Sequence, residues 1–278
     1  TSNPCSQIGL VSSTNAEALS ILDMTPFISS CKPLIVKETP VRDSNFFKKE
    51  LPGPDNAVHA SGRDRQSIWQ SLTSKETYGT TGDRILLWFD LVSQDSLIPM
   101  GSTVNQTDNP TFRVKAVGAF EQKPGCPDYS STDITKEEIE RICKNECYNP
   151  SDTRKIISRI EIVKITPQIA KSERIEDLID DAWKTFECKP SQQGCEIEFI
   201  DEEFEDNSRD TIYYVRAIQE PSPVVNGGNL RCTFNDKGEC IKVNICYGDS
   251  RTDKEDDCLT LSEERAWSSP IYINFTEA

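Results

Sequence analysis

The sequence predicts an α+β protein whose larger part is a disulfide-stapled antiparallel β-sandwich. Three observations carry that expectation. From Arg84 onward, short runs rich in β-branched and aromatic residues recur between turn residues. Eleven cysteines sit mostly beside those turns, as in chains stapled in an oxidising compartment. Before Arg84 the pattern differs: apolar strand ends pass into small polar turns and then helices, the grammar of an α/β layer.

Ile8–Val11 reads as a short apolar strand followed by SSTNAEALS. Two readings stay open there. The strand's carboxyl edge is where an α/β layer places chemistry, or Ser and Thr simply cap a helix over Ala16–Leu22. Residues 36–56 carry Pro40, Pro52 and Pro54 without periodicity, which marks a surface connection. Ala57 and Val58 end a strand, and His59–Arg63 make a polar turn. A helix over Asp64–Ser74 then buries Ile68, Trp69 and Leu72. The turn at Thr80–Gly82 leads into the strongly apolar strand Ile85–Val92.

Phe112–Phe120 is the next strand, after a loop with Pro99, Gly101 and Pro110. Thr135–Lys144 is a helix opened by Thr-x-x-Glu, a capping-box pattern. Residues 158–168 form a strand by their β-branched content, and a second short acidic helix covers Ile175–Trp183. Runs at 196–200, 211–219, 229–234, 240–246 and 270–275 complete the strands. Asn235–Gly238 is the tight turn of a hairpin over 229–246. About seven or eight such strands imply a sandwich. The expected division places residues 1–82 in the α/β-like part and 83–278 in the sandwich.

The net charge is −15, with 46 acidic against 31 basic residues. That excludes a phosphate-backbone binder, which needs clustered Lys and Arg. Hydrophobic residues make up 36% and charged residues 28%, the composition of a soluble globular chain. No apolar run approaches the roughly 18 residues of a membrane span. No basic-then-apolar leader follows Thr1, so a processed mature end or a fragment is expected.

Three local cysteine pairs are expected, each closing a short loop: Cys188–Cys195, Cys232–Cys240 and Cys246–Cys258. Cys5–Cys31 is a fourth. Cys126, Cys143 and Cys147 then leave one thiol over, either free or bonded to another chain. No Cys-x-x-Cys occurs and His59 is the single histidine, so a structural zinc is not expected.

AVHASGRDRQSIWQSL (57–72) and KETYGTTGDRILLWFDL (75–91) resemble the late segment of a secreted bacterial family catalogued only as a domain of unknown function. That family is related to PHP (polymerase and histidinol phosphatase) metallohydrolases. The similarity continues through IPMGS (98–102), NPTFRVKAVGAFEQKPGCPDY (109–129), NECYNP (145–150), YYVRAIQEPSPVVNGGNLRC (213–232), CYGD (246–249), DDCL (256–259) and ERAWSSPIYI (264–273). It implies a partial PHP-like α/β barrel remnant up to residue 82, followed by the sandwich. PHP proteins hold two or three metal ions through His-x-His and further His, Glu and Asp, and the ions activate water against a phosphate ester. The family's last metal motif aligns with Gly9–Glu17, which puts Asn15 and Glu17 where Asp and His belong. Asn brings no charge and Glu does not imitate a neutral imidazole.

The resemblance also places His59 at the barrel's mouth. There, with Arg63 and Arg84, it would hold a phosphate, sulfate or carboxylate. The plainer reading is a hydrogen-bonded loop histidine with arginines paired to Asp64, Asp83 and Glu76. The acidic loops Asp201–Asp210 and Asp249–Asp257 could ligate calcium, though neither has EF-hand spacing.

Two functions follow as expectations. The first is the C-terminal portion or subunit of a periplasmic or secreted PHP-like phosphoesterase, inactive alone. An N-terminal fragment or another protein subunit would complete a zinc, manganese or iron site that this chain cannot hold by itself. The second is a non-catalytic binding or structural subunit. Calcium-dependent surface adhesion is a third.

Overall fold

The computed structural model describes residues 10–12, 55–94, 96–131, 135–143, 147–247 and 249–277. The expected helix at 16–22, most of the connection at 36–56, Asn15, Glu17 and the Cys5–Cys31 pair lie outside the described residues.

In chain order, β1 (Leu10–Ser12) and β2 (Asp55–Val58) precede helix α1 (Arg65–Thr73). Then come β3 (Thr77–Thr80), β4 (Leu86–Ser93), β5 (Ser96–Pro99), β6 (Thr103–Gln106), β7 (Thr111–Val117) and β8 (Phe120–Gln122). Helix α2 (Lys136–Cys143) is followed by β9 (Pro150–Arg154), β10 (Ile157–Ile165), β11 (Ile179–Glu187) and β12 (Cys195–Ile200). A single helical turn, α3 (Phe204–Asn207), leads to β13 (Thr211–Gln219) and β14 (Ser222–Val225). Turn α4 (Gly227–Arg231), β15 (Cys232–Phe234), β16 (Cys240–Val243), β17 (Leu259–Ser262), β18 (Arg265–Ser268) and β19 (Ile271–Phe275) complete the chain.

Most of the strands form two facing sheets, and β8–β9, β14–β17 and β15–β16 are separate two-stranded ribbons. The smaller has the antiparallel order β12-β7-β4-β5. The larger runs β1-β2-β3-β18-β13-β10-β11, with β19 antiparallel to β13 and parallel to β6. The expected division at residues 82 and 83 falls between β3 and β4, and β3 is hydrogen-bonded to β18.

Period-two alternation explains the layering. On the small sheet Leu87, Phe89, Leu91, Phe112, Val114 and Ala116 turn inward and are buried. On the large one Ile160, Ile162, Tyr213, Val215 and Ala217 meet them. The Phe112 ring lies 5.1 Å from Phe199 within its sheet and 4.6 Å from Tyr213 across the gap. Each such side chain contributes about 1.5–3 kcal/mol on leaving water, so these aromatic contacts help tie the two sheets together.

Local signals account for both longer helices. The Asp64 carboxylate accepts from the backbone amides of Gln66 and Ser67 and so caps α1. Thr135 and Glu138 form the expected capping box of α2. Ile68 and Trp69 are half-buried, but Leu72 is 43% exposed. The buried residue of that helix is Ser71 instead, whose hydroxyl donates to the carbonyl of His59.

Two expectations are corrected. Residues 175–183 are not a helix: a short 3₁₀ turn at Ile175–Asp177 gives way to β11. Pairing with β10 overrides local helix propensity, and a bulge with Ala182 at φ 54° brings Trp183 and Phe186 against the core. Residues 229–231 belong to the turn α4, and the hairpin strand begins at Cys232.

Among the described residues four disulfides are present: the three expected local pairs and Cys126–Cys147. Two of them staple an excursion from the sandwich over residues 222–262, made of the ribbons β14–β17 and β15–β16. Phe234, Ile241, Val243 and Leu261 are exposed there. Disulfides of this density fit an oxidising compartment. Among the described residues no helix is long and apolar enough to cross a membrane.

Candidate functional site around His59

His59 leaves β2 and lies against the free edge of β4, beyond the reach of β5. The pairing of β5 covers only Asp90–Ser93, so the backbone of Leu87 needs another partner. The imidazole supplies it: Nε2 lies 2.7 Å from the Leu87 carbonyl, and the donating tautomer carries its proton there. The His59 amide donates to the Glu76 carbonyl, which fixes the turn. The ring centroid is 5.3 Å from Tyr78 and 5.7 Å from Trp88.

Around this corner the outer face of the small sheet carries cross-strand charges. Asp90 faces Arg113, which faces Glu198 with an ion pair of 3.3 Å. Trp88 faces Lys115, whose ammonium lies 5.8 Å from the indole centroid. Burial raises the Asp90 carboxyl above the ordinary range, opposed by the positive charges of His59 and Arg113. Burial pushes the Tyr78 hydroxyl up to about 12.

The two arginines expected beside His59 have different neighbours. Arg63 is exposed in the turn before α1. Arg84 stacks on Tyr148, its guanidinium carbon 4.0 Å from the ring centroid. Asp64 is the helix cap rather than an arginine partner. Asp83 accepts from Lys155 Nζ at 2.5 Å and from Gln219 Nε2 at 2.6 Å. Gln219 is fully buried, and its Oε1 accepts the Ala119 amide at 2.7 Å. This polar knot at one end of the sandwich ties three connections to the end of β13.

The acidic loops are also internally engaged. Asp249 pairs with Arg251, which lowers its carboxyl to about 2. Among the described residues, one group of potential metal-ligand atoms lies within 4.8 Å, on Cys246, Asp256 and Cys258. The two sulfurs are joined in a disulfide, and the Asp256 carboxylate is held by Arg231 at 2.8 Å. A disulfide sulfur is not a thiolate donor, so this group does not fit a hydrolytic metal ion. Asn15 and Glu17, the other metal candidates, lie outside the described residues.

One constellation was missed by sequence reasoning. Asp201, the first residue after β12, is 0% exposed and accepts from Tyr213 Oη at 2.5 Å and Lys164 Nζ at 2.6 Å. The available signal was phase: Lys164 follows Ile160 and Ile162 at spacing two, so a lysine occupies an inward position.

The sequence matches a family model described as a protein of unknown function (DUF3604) over residues 3–275. No curated protein and no solved structure matches it.

Proposed function

The chain belongs to that family of unknown function, and from this premise we propose that it is the stapled β-sandwich portion of a periplasmic or secreted PHP-like metal-dependent hydrolase. The reaction class would be phosphoester hydrolysis, with the chain inactive by itself. One observation carries the reading. Hydrolases of the PHP type hold their ions with several imidazoles. This sequence has one histidine, and its ring is used to close the edge of β4. The residues described here therefore do not fit the metal cluster, and the ions and their ligands would come from residues outside this chain. The oxidising compartment indicated by four disulfides agrees with export.

Metal analysis and phosphate-monoester hydrolysis of the purified chain, with zinc, manganese or iron supplied, test this. No stoichiometric ion and no turnover are expected. Two bridged ions with turnover by the isolated chain would overturn it.

A second reading, a non-catalytic binding or structural subunit, is favoured by the exposed apolar side chains on the excursion over residues 222–262. Adding a PHP-type barrel that carries a His-x-His metal site separates the two. Under the first reading the sandwich raises hydrolysis by the barrel. Under the second it leaves the rate unchanged.

A further inference from the structure

We propose that Lys164 and Asp201 condense in the folded protein to an intramolecular isopeptide bond, a covalent tie between the two sheets. Lys164 points inward from β10 in the large sheet, and Asp201 directly follows β12 in the small one. The amine is already in place, 2.6 Å from Oδ2, with Lys164 6% and Asp201 0% exposed. Trp183 covers the amine, its ring centroid 4.8 Å from Nζ, and Phe199 packs on Trp183. The site therefore excludes water. Such fixed proximity of two reacting groups is worth several orders of magnitude in rate.

The surroundings supply each step. Desolvation offsets much of the attraction of an ion pair in so dry a place. Passing one proton from the ammonium to the carboxylate removes both charges and leaves a free amine beside a carboxylic acid. The Nζ lone pair then attacks Cγ of Asp201. As the carbonyl π bond opens, negative charge develops on Oδ1, which already accepts the Glu203 amide at 3.1 Å. Tyr213 Oη donates to Oδ2 at 2.5 Å. Burial and the adjacent Asp201 hold the Tyr213 hydroxyl far above its ordinary range, so it keeps a proton to offer. The Cγ–Oδ2 bond breaks, Oδ2 leaves as water with the proton relayed through Tyr213, and the nitrogen loses a proton that restores the tyrosine. One C–N bond forms, one C–O bond breaks, one water is released and no electrons change hands. Tyr213 acts as the proton relay and Glu203 contributes only its backbone.

Intact-mass measurement of the full chain after reduction of all disulfides tests the proposal. The expected mass is one water below the sequence mass, with digestion yielding a branched peptide that joins the segments containing Lys164 and Asp201. Lys164→Met should show the unmodified mass. Asp201→Asn should give the same final mass as the parent, because ammonia replaces water as leaving group. Tyr213→Phe should form the link more slowly, with a lag measurable after refolding from denaturant. The full sequence mass in the folded parent protein after prolonged incubation overturns the proposal, whatever the variants do. A mass deficit that maps to any other pair of residues overturns it equally.

Discussion

Replacing Gln219 by Leu should expose the energetic weight of the knot at the end of the sandwich. The substitution nearly conserves volume, so packing changes little. It removes the acceptor of the Ala119 amide, 2.7 Å away, and one donor to Asp83, 2.6 Å away. Ala119 is 3% exposed, so no solvent replaces that acceptor. A stranded buried amide costs about 1–3 kcal/mol, and a lost hydrogen bond to a charged group about 1.5–3 kcal/mol. Asp83 is partly solvated and retains Lys155, which places its share at the lower end. The sum is about 2.5–4.5 kcal/mol. Urea unfolding at 25 °C should show it as a midpoint lower by about 1 M, with the slope unchanged because the area exposed on unfolding is the same. A loss below about 0.5 kcal/mol would show that the amide finds another partner, and the account of the knot would fail.

Three further outcomes follow from the packing and the charges. Phe112→Ala removes the ring at the centre of the cross-sheet stack and should cost about 3–5 kcal/mol in urea unfolding. Gly118→Ala places a methyl carbon 1.9 Å from the Lys155 carbonyl oxygen and should cost about 3 kcal/mol or more. Gly125→Ala meets no atom within 4 Å and should lose only about 1–2 kcal/mol, from its left-handed φ of 78°. Arg159 donates to both oxygens of Glu263, at 2.6 and 2.8 Å, and holds that carboxyl below its ordinary 4.5. A depressed carboxyl stabilises the fold above its unfolded value and loses that contribution as pH falls through the folded value. Glu263→Gln should therefore melt below the parent at pH 7, by about 1–2 kcal/mol, and the gap should close as pH falls below 4.5.

The sandwich was legible wherever one face is buried. In β4 and β7 alternation is nearly complete, and in β13 the expected span agrees with the observed one. Capping chemistry likewise announced α2, because Thr135 acts on the nearby Glu138 amide. Strands such as β6, β9 and β17 were not legible. They are four or five residues long, β6 and β9 are polar and the leucines of β17 are exposed, and their existence depends on a partner distant in sequence. The strand at 179–187 failed for the same reason: IDDAW reads as an acidic helix until β10 supplies its neighbour. At the site, the Asn-Ala-Val-His run placed His59 at a strand end, but its acceptor, the backbone of Leu87, leaves no trace in side-chain pattern. The pairing of Asp201 with Lys164 bridges two sheets, and sequence spacing alone does not align them.

The final strand, β19, lies between β13 and β6, and its Asn274 meets an Asn105 that is 169 residues away. During synthesis β6 emerges well before β19 and must wait for it. Until then one margin of β13 also stays open to stray pairing. Closure of so distant a contact is slow, so β6 goes unpaired for longer than strands whose neighbours follow directly in the chain.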